Sequence, residues 1–560
     1  MVQSNNESKT FIRKRAFLLF VFVFTITAVW GIVDAVLPLH GLLFSSAQLT
    51  PLSQQFLLPS RILFPGLELL PSLFSATQHL PAPSLMESRS ETALLLGAFS
   101  LLFLCYGFAL RHLPQKITLR SILLFACLFG GICVITPAVT SPDLFSYIIY
   151  ARMSVVYHLN PLVTAPFAVA KDPVYSLLYW KNQPSAYGPS WIMLTGLLQW
   201  FTNLTGTKTN VTAMVLLLRC LGLAAHLWSS ILIWSIGGYL QRIRGKENRY
   251  MRVLATLVFA WNPLLLFEAC VNAHNDTVML LLILLALWFL VRRSSLFSYA
   301  CVALMLALAT CLKVNAALLV PGLLIYVWLQ PGRWQKFAVV LPVYFATVVA
   351  LYMPFWDHGA ILQVLNVNPG TYRNINTLPD FFGQLYNSVR HLSGFPLAPE
   401  IGSRAERVAH ALSEALFALA YTCLCLQALF TRYRLRTPVQ LIQWMTIAWF
   451  LYCLVGAPWF WPWYAVTFFG LFALVEASAR TERQVLWSVA TCVFAFCLLS
   501  VYCFFVGGIY NSFVPFLTGF RWAYLRGVWV WLPVLLLLVW YMSKILSLYR
   551  KVPGNELPRS

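Results

Sequence analysis

Acidic and aromatic residues crowd one stretch of this sequence in a pattern that could support transfer of a group to a hydroxyl. The stretch reads Thr140-Ser-Pro-Asp143-Leu-Phe-Ser-Tyr147-Ile-Ile-Tyr150-Ala-Arg152. Asp143 follows a proline directly after an apolar run, which suits either a helix N-cap or a general base. A carboxylate at such a boundary could take the proton of a hydroxyl as the hydroxyl attacks an electrophile. Both interpretations of Asp143 stay open on this pattern.

A second polar stretch lies between two strongly apolar runs. It reads Asn262-Pro263-Leu-Leu-Leu-Phe-Glu268-Ala-Cys-Val-Asn272-Ala-His274-Asn275-Asp276-Thr277. Asn275 or Asp276 could cap the helix that follows, whereas His274 has no such structural explanation. Glu268 falls inside an apolar run, where a carboxylate is costly in lipid and should face a cavity or a partner. The pattern predicts a polar site at one end of two membrane helices.

Three cations could hold an anionic group such as a phosphate. Arg219 lies about two turns inside an apolar run, Lys313 lies at a hairpin between two runs, and Arg373 belongs to a later polar segment. The alternative for Arg219 and Lys313 is that their side chains extend to phospholipid headgroups. Arginine is suited to bidentate contact with phosphate.

Aromatic residues next to these groups have two possible roles. Tyr187 opens a Tyr-Gly-Pro turn, and Trp463 and Tyr464 end the stretch Pro458-Trp-Phe-Trp-Pro-Trp-Tyr464. Such residues form belts at membrane interfaces, but their flat faces also suit sugar rings. The density of aromatic rings around two prolines favours a binding role for Trp463 and Tyr464.

The elements that must position these residues are membrane helices. Of the 560 residues, 60% are hydrophobic and 10% charged, which excludes a soluble protein. Runs of about 17–25 apolar residues predict an all-α polytopic fold of about fourteen transmembrane helices. The predicted spans lie near 16–37, 92–110, 121–139, 211–240, 253–268, 277–291, 296–312, 315–330, 337–354, 411–430, 438–456, 463–478, 485–505 and 527–545.

The net charge of +21 sets the predicted orientation. With the N-terminus inside, most of the 39 basic residues fall in the short cytoplasmic segments, and the outer side is nearly neutral. Counting the apolar stretch 190–205 as a span would invert every later loop, so we interpret it, like 143–157, as an interfacial helix. The basic excess therefore indicates topology rather than a nucleic-acid partner. The cytoplasmic loops also lack room for a nucleotide-binding domain.

The predicted organisation is a single membrane domain over 16–545 with cytoplasmic tails at 1–15 and 546–560. Its long outer loops are 39–91, 140–210 and 355–410, where function is more often found than in short connections. All 13 cysteines lie in or beside apolar runs, so neither a disulfide framework nor a metal site is indicated. We expect no cofactor.

The motifs in their order along the chain resemble a known family. Pro142-Asp143, Asn160-Pro161, Tyr187-Gly188-Pro189, Asn262-Pro263, Ala273-His274-Asn275-Asp276 and Pro462-Trp463-Tyr464, within about residues 90–480, are similar to bacterial polyprenyl-phosphate-mannose-dependent α-1,6-mannosyltransferases. This resemblance implies a C-type glycosyltransferase fold in the bacterial cytoplasmic membrane. It also implies transfer of mannose from a polyprenyl-monophosphate donor to a glycan or glycolipid hydroxyl outside, with Asp143 as base. Pro142 departs from the polar residue expected before that acid.

Taken together, these patterns predict an inverting transferase whose partners are the lipid-linked donor, the acceptor and membrane lipids. Asp143 is the predicted base, and Arg219, Lys313 and Arg373 are predicted to bind the donor phosphate. The predicted substrate-binding residues are Tyr147, Tyr150, Arg152, Tyr187, Glu268, His274, Asn275, Asp276, Trp463 and Tyr464. The main alternative is a transporter or lipid flippase, whose charges usually lie near the membrane midplane rather than at one face.

Overall fold

The computed structural model describes part of the chain. The described residues are 25–27, 85–113, 117–136, 140–206, 211–245, 247–363, 376–379, 382–383, 386, 389–390, 393–394, 404–431, 434–478, 485–503, 527–537 and 539. Most of the first predicted span, most of the loop 39–91, both predicted tails and Arg373 lie outside them.

Helices make up the fold over these residues. In chain order they are α1 (Leu85–His112), α2 (Leu119–Val134), α3 (Asp143–Val155), α4 (Pro189–Leu204), α5 (Val211–Ile243), α6 (Arg249–Ala260), α7 (Pro263–Cys270), α8 (Asp276–Arg292), α9 (Leu296–Leu312), α10 (Val320–Trp328), α11 (Arg333–Tyr352), α12 (Arg404–Phe430), α13 (Pro438–Leu451), α14 (Ala465–Ala477), α15 (Val485–Ser500) and α16 (Gly527–Leu537). Short 3-10 helices lie at Pro166–Val169, Tyr175–Leu177, Val314–Leu319, Met353–Phe355, Asp357–Gln363 and Pro462–Tyr464, and a π-helix at Tyr452–Gly456.

Local sequence explains several of the helix boundaries. Asn262 caps α7 by accepting a hydrogen bond from the N–H of Leu264, and Pro263 occupies its first turn. Thr437 and Gln440 form a reciprocal capping box at the start of α13. Both signals are readable in the sequence. The predicted span 438–456 begins at the second signal, whereas the predicted span 253–268 runs through the first.

Fewer helices than predicted are long and apolar enough to cross a membrane. Among the described residues, five qualify by length and composition, at Leu95–His112, Val211–Ile243, Arg333–Phe355, Val408–Phe430 and Pro438–Gly456. A sixth arises if α6 and α7, bent by 46° at their junction, are one broken span. The predicted number of fourteen is therefore not confirmed, although helices occupy the apolar runs that the structure describes. Breaks at polar turns and prolines such as Pro263 and Pro462 shorten many of them.

Helices α3 and α4 form a layer in the predicted outer loop 140–210. They pack against each other, and α4 also contacts α5 and α9. The exposed apolar residues of α4 recur at helical spacing, so one face of this helix suits lipid while the other packs on the protein. These exposed residues are Met193, Leu197, Trp200, Phe201 and Leu204. The helix is not among the candidate spans, in keeping with an interfacial position.

Candidate active site

Asp143 is the first residue of α3 and presents a half-buried carboxylate. The N-cap position belongs to Pro142, and the N–H of Asp143 donates to the hydroxyl of Ser141 at 3.4 Å. Burial raises the pKa of Asp143, while hydrogen bonds from Tyr187 and Trp180 and the positive charge of Lys313 act in the opposite direction. A carboxylate with some exposed surface and a raised pKa is suited to accept a proton.

The Tyr-Gly-Pro turn brings Tyr187 to Asp143 by docking on the end of α9. The N–H of Gly188 donates to the carbonyl of Leu312 at 3.1 Å. A side chain at Gly188 would collide with backbone, since a Cβ there would lie 2.1 Å from the carbonyl oxygen of Cys311. The turn therefore requires glycine for space. The turn thus fastens the segment that carries Tyr187 to the end of α9, which Lys313 follows directly.

Lys313 is paired with Asp276 at the same site. Its Nζ lies 2.9 and 2.8 Å from the two carboxylate oxygens of Asp276 and 4.0 Å from the centre of the Tyr464 ring. Asp276 has no exposed side-chain surface, whereas 12% of the Lys313 side chain is exposed. An ammonium carries three N–H donors, so Lys313 can direct a further donor at an anion while Asp276 fixes its position.

His274 lies in a tight turn between α7 and α8. Ala273 before it has a φ of +51°, in the left-handed region. The His274 ring is stacked on Trp463, with centroids 3.9 Å apart, and its Nδ1 lies 3.2 Å from the Tyr147 hydroxyl. Its Nε2 lies 3.5 Å from a carboxylate oxygen of Glu268. The histidine therefore joins the α3 layer to the turn that carries Trp463.

Glu268 is held in a fully buried polar network. Its two oxygens accept hydrogen bonds from the Tyr502 hydroxyl at 2.8 Å and from the Asn272 amide at 3.1 Å. Asn272 in turn accepts a hydrogen bond from the N–H of Thr140 at 3.2 Å. The network connects α7 to the segment before α3, and in it Glu268 helps to fix the position of the residues around Asp143.

A row of aromatic rings runs past Asp143. Successive centroids are 4.7 to 6.2 Å apart, and the last ring of the row stacks on His274. Tyr179 at the other end is mostly exposed, so the row leads from the surface to the buried histidine. The members are Tyr179, Trp180, Trp459, Trp461 and Trp463.

Several of these contributors were not among the predicted site residues. Trp180 and Tyr179 are adjacent aromatics in a polar loop, a signal that a search for aromatic pairs would find. Tyr502 is a single tyrosine in an apolar run and carries no pattern of its own. Asn272 belongs to the polar stretch 262–277, and its position four residues after Glu268 is the sequence signal that could have predicted their contact.

Other predicted site residues lie elsewhere or have different partners. Arg219 has no exposed surface, and its guanidinium donates to the carbonyls of Val271 at 2.8 Å, Val134 at 3.1 Å and Thr136. It therefore holds the ends of two helices, since the C-terminal carbonyls of α2 and α7 need donors. A phosphate has no access to its guanidinium.

Arg152 and Tyr150 are also engaged within the protein. Arg152 forms a buried ion pair with Asp172 at 2.8 Å, which fastens the loop after α3. The Tyr150 hydroxyl donates to the carbonyl of Gln183 at 2.9 Å. Asn275 is fully buried, and neither atom of its amide has a hydrogen-bond partner among the described residues.

The described residues contain no group of three or more histidine, cysteine, aspartate or glutamate side chains that could hold a metal ion. What they bring together is one partly exposed carboxylate residue, one partly exposed lysine side chain and a row of flat rings. Such an arrangement can bind a sugar, accept a proton from its attacker and stabilise an anionic leaving group.

The chain is similar to a family model over part of its length and to solved structures over a larger part. Residues 70–330 match the family model described as Alpha-(1->6)-mannopyranosyltransferase, N-terminal domain. No curated protein sequence matches the chain. Among solved structures it is similar to the Archaeoglobus fulgidus oligosaccharyltransferase in the apo form, with 10% identity, a TM-score of 0.39, and 70% of this chain and 57% of that chain covered. A structure of the same protein in complex with zinc and sulfate matches with 11% identity, a TM-score of 0.37, and 69% and 52% coverage.

The chain thus spans little more than half the length of these solved structures. The family match covers residues 70–330, slightly less than half of the 560 residues, so it shows similarity to the alpha-(1->6)-mannopyranosyltransferase family over that part of the chain.

Proposed function

We propose that this protein transfers mannose from a polyprenyl-monophosphate donor to a hydroxyl of a glycan or glycolipid. The reaction takes place on the extracytoplasmic side of a bacterial cytoplasmic membrane, with both termini of the chain in the cytoplasm. The asymmetry of the basic residues supports the orientation. The family match supports the sugar and the class of reaction.

The observation that carries the mechanism is the difference among three neighbouring carboxylates. Asp276 holds Lys313, and Glu268 is fully buried and holds Tyr502 and Asn272. Asp143 alone of the three retains exposed surface. One available carboxylate supports a single displacement with a base rather than a double displacement, which needs a second, nucleophilic carboxylate.

The displacement is balanced as follows. The acceptor oxygen forms a bond to the anomeric carbon, and the bond from that carbon to the phosphate oxygen breaks, leaving its electron pair on the phosphate. Asp143 takes the acceptor proton as the oxygen attacks. The role proposed for Lys313, whose side chain is 12% exposed, is to stabilise the phosphate as charge develops. Attack opposite the leaving group inverts the anomeric configuration.

The direct test is Asp143→Asn in membranes supplied with radiolabelled polyprenyl-phosphate-mannose. The amide keeps the shape but cannot accept the proton, so transfer should fall by at least about 100-fold. Asp357→Asn is a matched control, because Asp357 is an exposed acid in another predicted outer segment. Near-normal transfer by Asp143→Asn at equal abundance would remove Asp143 from the role of base.

The same membranes distinguish a transferase from a transporter. Vesicles with purified protein should convert labelled donor to labelled glycan when acceptor is present. Movement of intact donor across the bilayer without any glycan product would instead support a flippase.

A further inference from the structure

Four cations at the ends of two neighbouring hairpins have no acidic partner. From residue 277 to residue 356 the sequence contains no aspartate or glutamate. Arg292 and Arg293 lie at the end of α8, and Arg333 and Lys336 lie in the first turn of α11. Among the described residues, no carboxylate forms an ion pair with any of the four. An anion from outside this part of the chain can therefore serve as their partner.

Lys336 is the least exposed of these cations. It is 9% exposed, and its Nζ lies 5.0 Å from the centre of the Tyr299 ring, in the first turn of α9. Within the described residues its ammonium has neither a hydrogen-bond acceptor nor an ion pair. A largely buried ammonium without an anionic partner is costly, and the face of an aromatic ring offsets only part of that cost. The contact also places the first turns of α9 and α11 side by side.

The start of α11 adds further donors beside Lys336. The N-cap residue is Gly332, with a φ of +66°, and no side chain caps this helix end. The first backbone N–H groups of a helix have no partner within the helix and attract anions. The guanidinium carbon of Arg333 lies 4.3 Å from the centre of the Trp328 ring and 5.4 Å from that of Trp334. Stacking on these rings leaves the N–H edge of the guanidinium free for bidentate contact with a phosphate.

The surface that continues from this helix end is apolar and faces outward. Helix α11 begins the candidate span Arg333–Phe355, and only 6% of the most apolar stretch of this span is buried. The exposed side chains include Trp334, Phe345 and Val349 of α11 and Phe297 of α9. A soluble anion would cover none of this surface, whereas the acyl chains of a phospholipid would lie along it.

We propose that the N-terminal end of α11 binds the phosphate of an anionic phospholipid. The charges favour a lipid without a cation of its own, such as phosphatidylglycerol, over a zwitterionic lipid such as phosphatidylcholine. A choline group would meet no carboxylate from residues 277–356. The rings of Tyr299, Trp328 and Trp334 already contact cations of the protein, so they do not form a cage for choline.

The lipid site is separate from the candidate active site. Helix α9 starts beside Lys336 and ends at Leu312, directly before Lys313. Its 17 residues span about 25 Å, so the phospholipid lies at the opposite end of α9 from the ion pair of Lys313 with Asp276. Its expected effect is to hold the first turns of α9 and α11 together. Binding can be measured without sugar transfer, so the test does not depend on the proposed function.

The test compares two lipids on the purified full-length protein in detergent. Phosphatidylglycerol or phosphatidylcholine is titrated in, bound lipid is counted by native mass spectrometry, and the Tm is measured in parallel. A cation close to anionic lipid contributes about fivefold in affinity, so Arg333 and Lys336 together should give a preference of about 25-fold for phosphatidylglycerol. The Tm should rise with phosphatidylglycerol and much less with phosphatidylcholine.

Variants of the two cations separate lipid binding from a purely structural role. Lys336→Met keeps an unbranched side chain but removes the charge, so it should lose about fivefold of the preference without a lower Tm in phosphatidylcholine. Lys336→Arg should retain the preference. Arg333→Gln, at an exposed position, is a second variant with little risk to folding and should also lose about fivefold.

Arg242→Gln is the matched control, because Arg242 is also an exposed cation at a helix end over an aromatic ring, that of Tyr239, but pairs with Glu247. It should keep the full preference. Equal affinity of the unmodified protein for both lipids, or an unchanged preference in folded Lys336→Met and Arg333→Gln, would overturn the site. A rise in Tm with inorganic phosphate equal to that with phosphatidylglycerol would overturn the phospholipid in favour of a soluble anion.

Discussion

Gly188→Ala tests whether the position of the Tyr-Gly-Pro turn sets the rate of transfer. The new Cβ would begin 2.1 Å from the carbonyl oxygen of Cys311, whereas ordinary contact starts at 3.4 Å. The turn, or the end of α9, must therefore move by about 1.3 Å. Backbone atoms form the obstacle, so rotation of a flexible side chain cannot relieve the collision.

The movement acts on both sides of the active site at once. Tyr187 precedes the glycine and hydrogen-bonds Asp143, while Lys313 follows the helix end on which the turn rests. A misplacement of about 1 Å can cost about 100-fold in rate, so kcat should fall by about that factor. The assay is transfer from polyprenyl-phosphate-mannose at saturating donor, with the melting temperature measured in parallel.

Gly107→Ala is the matched control for this experiment. Gly107 lies in α1, and a Cβ there would meet no atom within 4 Å. This variant should keep full activity and gain slightly in stability, because alanine is favoured over glycine in helices by about 1 kcal/mol. If Gly188→Ala folds normally and transfers sugar at the rate of the unmodified protein, the turn does not position the catalytic groups and the reasoning is wrong.

Three further predictions concern stability, pH and the aromatic row. Arg219→Leu should lower the free energy of unfolding by about 3 kcal/mol and leave the donor KM unchanged, because it leaves buried carbonyls without donors. Arg242→Leu, at an exposed position, is the control. A changed donor KM in a stable Arg219→Leu protein would show that Arg219 does contribute to donor binding. Since burial raises the pKa of Asp143 and only its deprotonated form accepts a proton, kcat/KM should fall on acidification through a pKa above the ordinary aspartate value of about 3.9; an acid limb at or below that value would contradict this. Trp463→Ala should raise the acceptor KM by about tenfold, because it removes the ring stacked on His274, and Trp463→Phe should restore the lower KM. Identical acceptor KM values in the unmodified protein and both variants would exclude a binding role for the aromatic row.

Helix positions were largely predictable from the sequence, but spans were not. Caps and prolines, as at Asn262-Pro263, are local signals, and the helices follow them. A hydropathy count measures how apolar a run is and does not detect a bend in the helix axis. The run 253–268 is therefore predicted as one span, although the helix axis bends by 46° between α6 and α7. The reduced number of long helices has the same origin.

The site was predictable where polar residues crowd within apolar surroundings. The structure brings Asp143 and Tyr187 together with Lys313 and Asp276, and it joins Tyr147 to His274. The role of Arg219 was not predictable, because a cation in an apolar run can bind a ligand or the carbonyls of helix ends equally well. Its acceptors, the carbonyls of Val134 and Val271, are distant in sequence and have no side-chain signature.

The π-helix Tyr452–Gly456 gives the segment between α13 and the aromatic row one residue more than an α-helical path would need. A π-turn holds one residue more than an α-turn, and each residue of an α-helix turns the chain by about 100°. Loss of one residue here can be absorbed because the π-turn then becomes an α-turn, whereas loss of a second residue would rotate Trp459, Trp461 and Trp463 relative to α13 by about that angle. The π-turn therefore tolerates a single deletion, and a longer deletion would change the position of these rings.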